Sequence, residues 1–249
     1  MELYEALISS VPAELRVITA VRGKYQAYVE TDGGAGLASL PLPGKQPYPD
    51  ARVCTEWIGK PLIDLAAQLR SDDMPLAALG CAAVNAWFNR RESMEAFGVT
   101  LYPPEIDEGD VFRTIEPECR GKLVSTVGHF HGGEKLTGMR ALRVFEKDPR
   151  PGDYPEWEEE RLLPEAEIVV ITGMALTNGT MPRVLELCRN AELVALSGPS
   201  VPITPLWFDY GVTALFGTLC WDIPGCRNAV RSGGHKETWP FMGKSVLRK

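Results

Sequence analysis

Lys122-Leu123-Val124-Ser125-Thr126-Val127, running into Gly128-His129-Phe130-His131-Gly132-Gly133, is the stretch on which the fold turns. A β-branched run that stops at a glycine has the form of a buried strand delivering a loop at its carboxyl end. Similar runs recur at residues 141–145, 167–172, 192–197 and 212–215. Helical spacing fills the gaps between the last three, at residues 181–189 with Thr180 as N-cap and at 205–210 with Thr204 as cap. This alternation predicts an α/β unit whose mostly parallel sheet is covered on both faces. Ligands of open sheets bind beyond the carboxyl ends of the strands. That nominates the loop from Gly128 to Gly133, Glu146, residues 173–180 with Asn178 and Thr180, and the loop Gly198-Pro199-Ser200.

Upstream the period differs. Residues 15–21 and 26–31 read as a hairpin around Gly23, with a third short strand at 37–40. Between the second and third, Asp32-Gly33-Gly34-Ala35-Gly36 reads as a glycine-rich turn, able to expose backbone N–H groups to an anion or simply to supply positive φ. Pro61 and Pro75 each open a helical pattern, predicting an antiparallel helix pair packed on the three strands. Asn85 is the polar residue of the Ala-rich second helix, suited either to a backbone bond or to a ligand. Strands followed by helices make an α+β unit over residues 1–105, with the α/β unit over 106–249.

The chain has 249 residues, 45% of them hydrophobic, and a net charge of −7, which argues against a nucleic-acid backbone as partner. The N-terminus lacks the basic start and apolar run of an export signal, and residues 74–88 are too short to cross a bilayer, so neither a membrane nor export is expected and the cytoplasm is the expected compartment. Six widely spaced cysteines form no Cys-x-x-Cys pair and read as buried, reduced thiols.

Three chemistries compete for the nominated loops. A dinucleotide site is disfavoured, because Gly128, Gly132 and Gly133 do not follow G-x-G-x-x-G and only thirteen residues separate the first two strands. Metal binding has better material: in an extended segment His129 and His131 would face one side, with His235, Glu146 or Cys226 as a third ligand. Either histidine could equally bond backbone or water. The Gly198-Pro199-Ser200 loop could cradle an anion, but it lacks the nucleophile elbow of a hydrolase. The acidic connection of residues 148–161 reads as a charged surface loop or as a lid.

Val169-Val170-Ile171-Thr172-Gly173 with Asn178-Gly179-Thr180, then Gly198-Pro199-Ser200 with Pro202 and Pro205, then Gly211, Gly217 and Gly233-Gly234, resembles the DUF364 heavy-metal chelation family. Gly36-Leu37-Ala38 and Ala78-Leu79-Gly80 with Ala82-Ala83-Val84-Asn85-Ala86 resemble its N-terminal companion, DUF4213. The resemblance implies an enolase N-terminal-like domain joined to a Rossmann-like domain, with a site in the cleft between them. The resulting expectation is a protein that binds a divalent transition metal ion or metal chelate there. His129 and His131 would be ligands, Glu146 a carboxylate ligand or base, and Asn85, Gly128, Asn178, Thr180, Gly198, Pro199 and Ser200 the groups around an organic chelate. A transferase or lyase of a nucleotide-like or small organic substrate, and a non-catalytic small-molecule binding module, remain alternatives. Trp207, Trp221 and Trp239 suggest a self-association surface and hence a homo-oligomer.

Overall fold

The computed structural model describes every residue except Met1, Pro43, Lys45, Asp107 and His235. The chain begins with helix α1 (Leu3–Ser9), then strands β1 (Val17–Arg22), β2 (Gln26–Thr31), β3 (Gly34–Ser39) and β4 (Arg52–Val53). Helices α2 (Leu62–Ala66), α3 (Met74–Phe88) and α4 (Arg91–Ala96) follow, then β5 (Thr100–Tyr102) and α5 (Val111–Ile115). The second half continues with β6 (Leu123–Val127), β7 (Ala141–Glu146), β8 (Tyr154–Pro155), α6 (Glu159–Leu162), β9 (Ile168–Thr172), α7 (Met174–Thr177) and α8 (Met181–Leu187). It closes with β10 (Leu193–Ser197), β11 (Ala214–Cys220), α9 (Ile223–Arg231) and β12 (Met242–Arg248).

Two sheets result among the described residues. The smaller has the order β3-β2-β1-β4, antiparallel throughout; the larger has the order β5-β12-β11-β10-β9-β6-β7-β8. Strands β8, β7, β6, β9, β10 and β11 of the larger sheet run parallel, while β12 and β5 are added antiparallel at one edge. The expected mixed architecture, with a mostly parallel sheet in the second half, is therefore present. Strand β5 precedes residue 105 in the chain but hydrogen-bonds into this second sheet.

Helix α3 explains how the halves join. Asp73 caps it by accepting from the Leu76 N–H, and Pro75 sits in its first turn, where a missing N–H costs nothing. Its small residues let backbone meet backbone. A Cβ on Gly36 of β3 would lie 2.1 Å from the Ala82 carbonyl oxygen, so Gly36 is there for close approach. The residues read as a glycine-rich anion turn are thus mostly strand: only Asp32 and Gly33 turn, and Gly34 to Gly36 belong to β3, against the helix.

The small sheet is covered twice. Ala20, Ala27, Val29 and Ala38 face the core that contains α3, while Val21, Tyr28 and Leu37 pack on Cys226 and Val230 of α9, from the far end of the chain. The core under α3 continues into the second half through Val169, Ile171, Leu196 and Trp207. On the other face of the large sheet, Val124, Ile168, Val170 and Ala195 pack beneath Phe112 and Ile115 of α5. Burial on both faces is why these strands read as continuous apolar runs.

Candidate functional site

The strand order reverses between β6 and β9. From β6 the chain builds outward through β7 and β8, then returns to the other side of β6 and builds β9, β10 and β11. Splayed loops at such a reversal leave a crevice beyond the strand ends. Here the crevice holds about 170 Å³ and is lined by Gly128 and His129 after β6, Glu146 and Lys147 after β7, and Thr172, Asn178 and Thr180 after β9. Glu156 and Glu159, from the acidic connection, complete its wall. Gly128 has φ 97°, and a Cβ there would meet the Thr172 side chain at 2.9 Å. Glycine keeps the crevice open.

The loops are fixed by hydrogen bonds. Both carboxylate oxygens of Glu146 accept backbone N–H groups, from His129 at 3.0 Å and from Lys147 at 2.9 Å. Glu146 thereby ties the loop after β6 to the end of β7. His129 Nε2 accepts from Arg150 Nη1 at 2.6 Å, which leaves Nδ1 to donate to Asp153 at 3.3 Å. Asn178 Oδ1 accepts from both the backbone N–H and the hydroxyl of Thr180, at 3.1 and 2.8 Å. Thr180 is consequently not the side-chain cap expected for the following helix. Thr204 does cap its helix, accepting from the Leu206 N–H.

Glu159 is the functional candidate missed in the sequence. It is only 8% exposed, and burial, reinforced by Glu156, Glu160 and Glu146 and opposed by Lys147, pushes its carboxyl up to about 7. A carboxyl so placed exchanges its proton near neutrality. The available signal was phase: in the run Glu158-Glu159-Glu160, Glu159 alone lies at helical spacing from buried Leu162 and Leu163. The acidic connection is therefore neither a purely solvated loop nor detached from the strand ends.

Other nominated residues lie elsewhere. The loop after β6 turns at Gly128 and Gly132, where φ is 97° and 106°, and His129 and His131 line different cavities. His131 lines a separate cavity of about 420 Å³ with Asp110, Glu116 and Glu134. Asn85 is fully buried and donates to the carbonyls of Leu37 and Pro199. Ser200 is buried too, and its hydroxyl accepts from the Ser39 N–H at 2.8 Å. Gly198-Pro199-Ser200 thus closes the first half onto the second, and no helix starts directly behind it to bind an anion. Asn178, besides lining the crevice, borders a second cavity with Tyr4, Arg70 and Met74 of the first half. Trp207 is fully buried, its indole N–H donating to the Pro202 carbonyl, and is no part of a self-association surface.

Residues 110–248, more than half of the chain, match the sequence pattern of DUF364, a family described as "Putative heavy-metal chelation". The chain belongs to the DUF364 family. Residues 4–88 match DUF4213, which carries the same description. A DUF364 protein of unknown function from Desulfitobacterium hafniense DCB-2 has a similar structure, with a TM-score of 0.85 at 28% identity over 99% of this chain and 97% of that one. Another from Pyrococcus horikoshii shares the fold, with a TM-score of 0.79 at 20% identity over 99% and 98% of the two chains. An uncharacterized protein of Methanocaldococcus jannaschii is 29% identical over 170 residues, which span 67% of this chain and 63% of that protein.

The description of DUF364 poses a question that the donor set answers. Among the described residues no three His, Cys, Asp or Glu side chains converge where they could hold an ion. Both ring nitrogens of His129 are engaged, and His235 lies outside the described residues. Cys226, nominated as a third ligand, packs on Val21 and Tyr28 of the small sheet and donates to the Phe241 carbonyl at 3.2 Å. Among the described residues, then, no set of side chains fits a resident ion held by protein ligands alone. No helix among the described residues is long and apolar enough to cross a membrane.

Proposed function

We propose that the protein binds a metal ion as cargo, delivered as a cationic complex that brings most of its own donors, in the crevice at the ends of β6, β7 and β9. The observation that carries this reading is the composition of the crevice at the reversal of strand order. Glu146, Glu156 and Glu159 line it against one ammonium, Lys147, which is itself paired with Glu156 at 3.4 Å. An acidic pocket of this kind attracts cations, and the shortage of converging protein donors favours an ion that is already coordinated. Glu159 gives up its proton as positive charge arrives, so binding strengthens with rising pH. Asn178 and Thr180 supply hydrogen-bonding groups for the outer atoms of the complex. This reading moves the site from the cleft between the halves to a crevice lined by residues 127–180. A cytoplasmic setting accords with six free cysteines, since thiols persist in a reducing compartment.

Equilibrium dialysis with inert hexaamminecobalt(III), alongside nickel, cobalt, zinc and ferrous salts, tests it. The ammine complex should bind the wild-type protein saturably and lose at least tenfold affinity in the Glu156→Gln/Glu159→Gln variant. The His131→Ala variant should bind like wild type, because His131 lines another cavity. Equal binding of the complex by wild type and the double glutamine variant, or no saturable binding at all, overturns the reading.

A further inference from the structure

Away from the crevice, the chain brings two thiols together where β11 leads into α9. Cys220 is the last residue of β11, and Cys226 lies in the first turns of α9. The segment between them is tightly set. Asp222 caps the helix by accepting the Gly225 N–H at 3.1 Å, and Pro224 sits in its first turn. Gly225 lies so close to Phe241 that a Cβ there would collide with the ring. The Phe241 carbonyl accepts the N–H groups of Trp221 and Asp222, at 2.9 and 3.1 Å, and also the Cys226 thiol, at 3.2 Å. One carbonyl oxygen therefore gathers the Cys226 sulfur and the two residues that directly follow Cys220.

The two sulfurs meet. The Cys220 thiol hydrogen-bonds the Cys226 thiol, which in turn donates to Phe241, and both pack in one cluster with Val21, Tyr28 and Val230. A disulfide needs its two Cβ atoms roughly 3.5–4.5 Å apart, and side chains whose sulfurs already touch reach that geometry with little backbone movement. Access is one-sided. Cys226 is buried, as are Cys54, Cys81, Cys119 and Cys188, whereas Cys220 is half-buried and the most exposed of the six. A reachable thiol with a buried one behind it is the arrangement of an attacking and a resolving cysteine.

We propose that Cys220 and Cys226 are a modification site, closed into a reversible disulfide by a small-molecule disulfide oxidant, and that the bond locks the root of α9 to the end of β11. The Cys220 sulfur, deprotonated, attacks one sulfur of the oxidant, whose S–S bond breaks and releases one thiol; the Cys226 sulfur then attacks Cys220 and releases the second. Two protein S–H bonds are lost and one S–S bond forms, while the oxidant is reduced to two thiols that carry away both protons. The hydrogen bond to Cys226, then burial, push the Cys220 thiol up, so at neutral pH the pair rests protonated and reduced until oxidant is supplied. The Phe241 carbonyl keeps two N–H donors when Cys226 leaves it. Helix α9 clasps the small sheet, with Val230 against Val21 and Tyr28, and Arg227 paired to Glu30 at 3.0 Å. Stapling its first turns therefore steadies the contact between the halves. The thiol pair shares no residue with the crevice, and neither reading depends on the other.

The full chain, equilibrated with oxidised glutathione and mapped by mass spectrometry of its peptides, tests the proposal. Wild type should lose two of its six thiols, with Cys220 and Cys226 found linked to each other. The oxidised form should unfold about 5 °C higher, return to the reduced Tm with dithiothreitol, and show slower amide exchange along α9. Cys226→Ala should stop at a glutathione adduct on Cys220, and Cys220→Ala should leave Cys226 unmodified. The proposal is overturned if wild type keeps all six thiols, links a different pair, or stops at an unresolved glutathione adduct. It is equally overturned if the linked form matches the reduced one in Tm and in α9 exchange. These wild-type measurements decide the matter even where a variant fails to fold.

Discussion

The side-chain nitrogen of Asn85 donates to the Pro199 carbonyl at 3.0 Å, joining helix α3 of the first half to the loop behind β10 in the second. The same nitrogen donates to Leu37 of β3 at 2.8 Å, so one amide holds a helix, a strand and a loop together. Four residues along the helix, Asn89 repeats the device with Val201 and Thr218 as acceptors and the Ile203 N–H as donor. Replacing Asn85 by leucine would strip two buried carbonyls of their donor, at a cost of about 2–4 kcal/mol. Urea unfolding should show this as a lower midpoint. A change below about 0.5 kcal/mol would show that the amide bonds carry no net stability.

Glu159 makes stability depend on pH. Its carboxyl titrates at about 7 in the folded protein but near the ordinary carboxylate value when unfolded, so between about pH 4.5 and 7 the native state holds the extra proton. Stability from this group is full below the unfolded value and is lost as pH rises through the folded one. Cys188, whose thiol Glu159 helps push up, and the carboxylates of Glu146, Glu156 and Glu160 face the same charge. Glu159→Gln should flatten the pH profile and gain roughly 1–2 kcal/mol over wild type at pH 8, with little gain at pH 5. Denaturant midpoints at the two pH values measure it, and parallel profiles for variant and wild type would remove Glu159 as the cause.

Gly128→Ala tests the opening of the crevice. Alanine at φ 97° is strained, and its Cβ would press the Thr172 methyl at 2.9 Å. The expected cost is about 1–3 kcal/mol. Binding of hexaamminecobalt(III) should weaken with it, because the methyl group narrows the gap between the ends of β6 and β9. Wild-type stability together with wild-type affinity would place the ligand elsewhere.

How much of this was legible in sequence follows from how each element is buried. Strands β6, β9 and β10 are covered on both faces and appear as apolar runs within a residue of their observed bounds. Strand β2 is bounded as expected, at Gln26–Thr31. Strand β12 escaped because its buried positions, Gly243, Ser245 and Leu247, alternate with half-buried ones and include only one large apolar residue. Gly34-Ala35-Gly36 looked like a turn because its glycines serve a contact with α3 far along the chain, which no local pattern reveals. The strand ends predicted the crevice, bringing Gly128, His129, Glu146, Asn178 and Thr180 together. Asn85 and Ser200 bond across the join between the halves, a use that sequence does not distinguish from ligand binding.

His129 and Arg150 set the last prediction. The guanidinium occupies the Nε2 lone pair at 2.6 Å, while Asp153 fixes the opposite nitrogen and also accepts the Arg150 backbone N–H. A metal ion and a guanidinium cannot share that lone pair. Arg150→Ala would free Nε2 beside Glu146 and Glu159 and remove a positive charge, turning the crevice toward direct ligation. Zinc or nickel affinity should then rise about tenfold, roughly the gain of one imidazole ligand whose other nitrogen is already oriented by a carboxylate. Adding His129→Ala to the same background should return the affinity to wild type. If Arg150→Ala leaves metal affinity unchanged, or if the gain survives loss of His129, the imidazole is not the donor that the guanidinium masks, and the role of the pair is confined to holding the acidic connection over the strand ends.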